Sequence, residues 1–338
     1  MDRLSKYIYF NFSTIFFSIF IPLFSIASLI FFIKIVSITS IVKINFFELL
    51  ELYLYVLPQI LFWTISITFF AATALSLSKL SYDYEMIVIF SLGIKPFRIA
   101  HIFGKIALLT TITLSILSFL VIPQAKQTYK SFIAYKKSKA IFNIKPSELG
   151  QKFGDWFLFI DSKNGKNSFK NVVLYSQKDK EEFINAKEAN IVSNDSGLKF
   201  LLKDGYGYSY KDGILQEIKF KKMILNDLSS INAKEYKNIF EYWMEAFSNK
   251  KRAFDFTLFA TISIFPIVSI FLILSIGIIN PRFQKNRVYL EIVIFVVAYY
   301  FLSFLLSKHY PFYAILIIAS IWFIISYILY AKRVKKRY

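Results

Sequence analysis

Apolar residues in this chain gather into long runs separated by short polar breaks, and the pattern changes character only once, near the middle. The runs cover residues 8–33, 56–77, 102–122, 256–279, 288–306 and 311–330. A bilayer core about 30 Å thick is crossed by roughly 20 apolar helical residues. Each run therefore predicts a membrane-spanning helix, six in all. The fifth carries Glu291 near one end. An ionised group at a helix centre costs roughly 2.5 to 3.5 kcal/mol, so Glu291 is placed at a membrane boundary.

Between the third and fourth runs the period shortens to alternation broken by turn residues, which predicts antiparallel β structure. Residues 156–160 and 172–175 read as short strands, and 183–192 as a longer one ending at the turn Asn194, Asp195, Ser196, Gly197. Strands at 198–202, 206–210 and 214–225 follow, divided by Asp204-Gly205 and Asp212-Gly213 at hairpin spacing. Ile239, Phe240, Trp243, Met244 and Phe247 then recur at helical spacing. This amphipathic helix either packs against the sheet or lies on the membrane surface. The resulting domain boundaries are 1–122 for three spans with a short helical segment at 81–93, 123–252 for the β domain ending in the amphipathic helix, and 253–338 for three spans and a basic tail.

Composition agrees with lipid as the main solvent: 56% of the 338 residues are hydrophobic and 39 are Phe. The first run is too long for a signal-peptide core and no small-residue cleavage site follows it, so it reads as an uncleaved helix. Charge then orients the chain. Arg3, Lys6, Lys79, Lys95, Arg98, Arg282, Lys285, Arg287 and the tail Lys332, Arg333, Lys335, Lys336 and Arg337 fall on one side, against Lys34, Lys43 and Lys308 in the opposite short connections. Basic short loops stay inside, which predicts cytoplasmic termini and an external β domain. The lysines of that domain, part of the net charge of +19, are either solvated strand faces or contacts for anionic headgroups.

Several chemistries are excluded. The chain has no cysteine, hence no disulfide framework, thiol nucleophile or cysteine metal site. Gly165-Lys166-Asn167-Ser168 lacks the first glycine and the adjacent hydroxyl of a phosphate-binding loop. His101 and His309 fall at opposite membrane faces, so neither a two-histidine metal site nor a triad assembles. No catalytic constellation, cofactor site or nucleic-acid motif is found. The informative polar break is residues 81–96, which read as a short helix capped by Ser81 or Asp83, closed by Gly93 and stopped by Pro96. Glu85 sits in its first turn, where the helix dipole favours it, and Met86, Ile87, Ile89 and Phe90 form an apolar face that needs a partner.

These residues, in order along nearly the whole chain, resemble the LptF/LptG permease family. Leu57-Pro58 matches a Leu-Pro in the family's second helix, and Leu80 to Glu85 with Ser91 to Ile94 matches its Leu-x-x-x-x-Glu segment and small-Gly-Ile/Leu turn. In the β domain the resemblance rests on Phe157 to Asp161, Phe183 to Val192, Asp204-Gly205 and Phe220. Asn280-Pro281-Arg282, with Arg287 beyond, is most like the LptF branch, while Ser66 stands where a second helix proline is often found.

The resemblance implies a helical membrane fold of six transmembrane helices with an inserted periplasmic β-jelly roll, in the inner membrane. It implies a non-catalytic ABC transporter permease that moves lipopolysaccharide, with a cytoplasmic ATPase dimer (LptB-like), a second permease (LptG-like) and periplasmic jelly-roll bridge proteins (LptC/LptA-like) as partners. The family's coupling-loop glutamate maps onto Glu85, so Asp83, Glu85, Met86, Ile89, Phe90 and Gly93 are the expected ATPase-coupling residues. Lys34, at the outer end of the first helix, is the expected lipid-headgroup contact or a lysine that snorkels to the interface. Two other readings stay open: a membrane-anchored periplasmic sensor or scaffold, and a permease of another ABC family that transmits force without carrying lipid.

Overall fold

The structure is a computed structural model that describes residues 3–37, 44–139, 151–153, 156–163, 168–177, 181–194, 197–211, 214–226, 238–280, 282 and 287–336. Two units compose it. A helical unit comprises Met1–Ile30, Val56–Ala125 and Tyr236–Tyr338, and a second unit comprises Phe31–Tyr55 and Lys126–Glu235.

The helices are α1 (Arg3–Val36), α2 (Phe46–Tyr82), α3 (Glu85–Ser91) and α4 (Pro96–Ile116), which passes through a π turn (Leu117–Val121) into α5 (Ile122–Lys139). After the sheet come α6 (Ile239–Met244), α7 (Lys250–Val268), α8 (Ile270–Gly277), α9 (Val288–His309) and α10 (Tyr313–Tyr330). Among the described residues five helices are long and apolar enough to span a membrane, and α7 with α8 passes the same test as a pair bent by 49° at its break. All six predicted runs are thus helical. The bend follows Pro266, which has no N–H to give the helix ladder. Ser269 sits at the break, and its hydroxyl accepts a hydrogen bond from the Trp322 indole at 3.0 Å.

Aromatic packing holds this unit together. Phe70 stacks on Phe265 at 5.2 Å, Phe265 meets Tyr299 at 4.3 Å, and Phe12 of α1 touches Phe69 and Phe103. The buried Tyr299 hydroxyl donates to the Thr261 carbonyl at 2.6 Å, so its polar atom has a partner within the apolar core. A Cβ on Gly277 would lie 2.5 Å from Leu77 Cβ and 2.8 Å from the Ala74 carbonyl oxygen. Only glycine therefore allows α8 to approach α2 this closely. Ser81, at that crossing, donates to the Gly277 carbonyl at 3.0 Å and accepts from the Ile279 N–H at 3.3 Å. Glu291 lies in the first turn of α9 and pairs with Arg333 beyond the end of α10, which neutralises the carboxylate where the apolar run begins.

The amphipathic helix belongs to the helical unit rather than to the end of the β domain. Trp243 of α6 donates its indole N–H to the Phe119 carbonyl at 2.9 Å and packs on Phe119, Phe256 and Phe259. Phe119 lies in the π turn, where the regular i to i−4 ladder is disturbed, so the indole meets a carbonyl at the irregular point. Phe240, Met244 and Phe247 of the same segment are exposed.

In the second unit six antiparallel strands, β1 (Gln151–Phe153), β2 (Trp156–Lys163), β3 (Ser168–Ser176), β4 (Glu181–Asn194), β5 (Gly197–Lys211) and β6 (Ile214–Asn226), pair in sequence order as a meander. The β domain expected from the sequence is present, and its described strands connect neighbour to neighbour without crossing. One face is apolar: Leu158, Ile160, Phe169, Val172, Leu174, Ile184, Ala186, Ala189 and Leu202 are buried, with Phe220 and Met223 packed on them.

The Asp204-Gly205 signal is corrected. It is not a hairpin turn, because β5 runs through it and pairs with β4 and β6 on both sides. Instead it marks a crease. Buried positions in β3 step from 172 to 169, in β4 from 186 to 189 and in β5 from 205 to 202, three residues where alternation requires two. The register stays continuous across this step, as Val172 pairs with Ala186 and Lys170 with Glu188. Asp161, Asn171, Lys187, Asp204 and Lys221 form the exposed row at the crease. Asn171 and Asp204 both adopt φ 49°, a left-handed conformation that Asn and Asp tolerate best among residues with a Cβ. Gly205 beside them is required for space: a Cβ there would lie 2.3 Å from the Asn185 carbonyl oxygen and 2.6 Å from the Phe220 ring.

Candidate functional site

The predicted coupling segment is a real helix, α3, in the connection between α2 and α4. Its capping differs from the sequence reading. Ser81 is still part of α2 and spends its hydroxyl on the Gly277 region, and Asp83 is exposed in the turn with its N–H bonded to the Lys79 carbonyl. The N-cap position is Tyr84, at φ 59° with no side-chain cap. A left-handed tyrosine is uncommon and stores of order 1–3 kcal/mol, held in place by the surrounding structure. At the other end Gly93 takes φ 81°, the left-handed position predicted for it, and Pro96 starts α4.

The Tyr7 hydroxyl shares its one proton between the two Glu85 carboxylate oxygens, at 2.8 and 2.7 Å, which ties the start of α1 to the start of α3. Met86 and Ile89 are buried, 1% and 8% exposed, in the same core as Ile99 and Phe103 of α4. Phe90 is half-buried against it. The apolar face that needed a partner thus finds one in the chain's own bundle. The face turned outward carries Tyr84, Val88 and Leu92, which are 55%, 56% and 73% exposed. Their spacing of four residues, i, i+4 and i+8, was present in the sequence, but the stronger Met86, Ile89 pattern masks it. Tyr7 could not be found by spacing, since it lies 78 residues from its partner. The start of α1, α3 and the α9–α10 ion pair of Glu291 with Arg333 stand in the helical unit, whereas Lys34 belongs to the other. Lys34 is exposed in the last turn of α1.

Ile8, Phe12 and Ile35 of α1 are buried and Ile15, Phe16 and Ile19 are half-covered, while Phe10, Phe17, Ile21, Ile26 and Leu29 form an exposed flank. After α8, the Asn280 side chain accepts from the Arg282 N–H at 3.2 Å, a local turn, and Pro281 lies outside the described residues. Among the described residues no group of His, Cys, Asp and Glu is arranged to hold a metal.

Five to six apolar spans among the described residues, with an antiparallel sheet inserted after the third, make this a multi-pass helical membrane protein with a β domain. The model of the lipopolysaccharide export system permease LptF/LptG family matches residues 6–332, and the chain belongs to that family. It is a permease subunit of a lipopolysaccharide export transporter, seated in the inner membrane. No curated protein matches it.

Proposed function

We propose that the chain is the LptF-type permease of an ABC exporter that extracts lipopolysaccharide from the outer leaflet of the inner membrane and passes it to a periplasmic jelly-roll bridge. A cytoplasmic ATPase dimer of the LptB kind supplies the energy, an LptG-like permease completes the membrane pair, and LptC- and LptA-like proteins form the bridge. The end of the bundle bearing α3 faces the cytoplasm, and the β domain faces the periplasm. The excess of Lys and Arg in the short connections at the α3 end supports this orientation.

The observation that carries the reading is the two-sided character of α3. Its inner face is part of the bundle core through Met86 and Ile89, and its outer face presents Tyr84, Val88 and Leu92. A helix built this way transmits a push from a soluble partner into the spans, because close-packed cores shift as units rather than deform. Asp83, Glu85 and Gly93 shape its two ends, and Glu85 links the push to α1 through Tyr7. Extraction exposes acyl chains at about 0.8 kcal/mol per CH₂, so the route stays apolar throughout. The uncovered flank of α1, together with α9, fits a lateral opening shared with the second permease. Lys34 at the outer end of α1 meets lipid phosphates there.

The test is co-purification with the ATPase and ATP-driven lipopolysaccharide release, for the wild type, Glu85→Ala and Val88→Glu. Both variants should lose release by tenfold or more, and Val88→Glu should also lose the ATPase. Wild-type association and release in both variants would refute coupling through α3, and an unaltered protein that never retains an ATPase would favour the sensor reading.

A further inference from the structure

At the α3 end of the helical unit, a cavity of about 400 Å³ is lined by Lys95, Pro96, Phe97, Phe271, Tyr327, Tyr330 and Lys335. None of these residues takes part in the α3 contacts described above. We propose that this cavity binds the phosphate and adjoining acyl carbons of an anionic glycerophospholipid from the leaflet on the α3 side.

Chemistry and level both support that ligand. Phe271 makes the inner wall with Tyr327 at 5.6 Å and Tyr330 at 5.1 Å, giving an apolar, aromatic floor. Above it stand two lysines, Lys95 before the first turn of α4 and Lys335 in the π turn that ends α10. The lining carries no carboxylate, and among the described residues neither lysine has an ion-pair partner. Arg333, by contrast, is neutralised by Glu291.

The apolar run of α10 ends at residue 330 and that of α4 starts at residue 102, so the lysines lie just outside the apolar zone and the aromatic floor just inside it. Phe97, on the cavity wall, is 64% exposed and adds apolar surface at the opening. A divided lining of this kind fits a molecule with one anionic end and one apolar end. Basic pockets between spans at the membrane surface recognise anionic lipids by that combination. A free phosphate would leave the aromatic floor uncovered.

The test uses the full chain, delipidated in detergent, and titrates phosphatidylglycerol, phosphatidylcholine or inorganic phosphate while reading the melting temperature and, by native mass spectrometry, retained lipid. Phosphatidylglycerol should raise the melting temperature and remain bound one per chain. The double variant Lys95→Gln with Lys335→Gln should weaken that binding at least tenfold with the lipid-free melting temperature unchanged, and the double Arg variant should retain it. Equal effects of phosphatidylcholine, an equal effect of inorganic phosphate, or undiminished binding by the Gln variant would each overturn the proposal. Should the Gln variant not fold, photoactivatable phosphatidylglycerol on the wild type decides: label within 95–98 or 327–335 upholds the site, and label confined elsewhere refutes it.

Discussion

The Tyr7 hydroxyl sits within hydrogen-bond reach of both carboxylate oxygens of Glu85 and shares its proton between them, so the start of α1 is fastened to the short helix between α2 and α4. The bond lies at the surface, and its contribution to stability is correspondingly small. Its value is geometric. Tyr7→Phe keeps the ring and removes the donor, so the protein should fold and retain its ATPase while lipid release falls several-fold at unchanged ATP hydrolysis. Release and hydrolysis measured side by side check this; proportional loss of both would mean the bond does not relay motion.

Lys34 lies in the last turn of α1 and is exposed. Lys34→Glu should reduce photocrosslinking to lipopolysaccharide several-fold, whereas Lys34→Arg should preserve it. If charge reversal leaves crosslinking intact, Lys34 only anchors the helix at the interface.

Gly277 allows α8 to lie against α2, and Ala in its place sets a methyl 2.5 Å from Leu77 Cβ. Overpacking of this kind costs about 1–3 kcal/mol. Gly277→Ala should therefore lower the melting temperature and separate Ser81 from the end of α8. Thermal unfolding in detergent measures the first. An unchanged midpoint would show that the crossing yields easily.

The crease in the sheet gives an opposed pair of variants. Asp204→Gly removes a Cβ from a residue at φ 49° and should be neutral or stabilising, while Asp204→Val, β-branched and disfavoured there, should destabilise the β domain by about 1–3 kcal/mol. Gly205→Ala should be worse than either, because its methyl meets backbone at 2.3 Å. Protease resistance of the β domain in the full chain ranks the three; an inverted order would contradict the crease.

The spans were legible because run length is nearly the whole of the signal for a helix in lipid. The break at Ser269 was not, since the fourth run is apolar on both sides of it and the kink depends on Pro266 and on a hydroxyl partner, Trp322, far along the chain. The strands were legible from alternation. Asp204-Gly205 misled because the same residue types serve a hairpin turn and a left-handed step inside a strand, and only pairing on both sides distinguishes them. In α3 the position of the helix and the role of Gly93 could be read. What covers its Met86, Ile89 face could not, because the outward Val88 and Leu92 are apolar too and burial is decided by the spans around them.

The crease also limits what can extend the sheet. The buried face steps at one transverse line in β3, β4 and β5 while the register is kept, and β6 follows from Phe220 to Met223, so among the described residues its outer edge is two short straight edges meeting at Lys221 rather than one long one. A flat strand laid along it would match one half and point its side chains the wrong way along the other. Any partner that adds a strand across the whole edge must carry its own three-residue step at the same height. A partner strand slipped by one residue would turn its side chains to the wrong face on both sides of the crease.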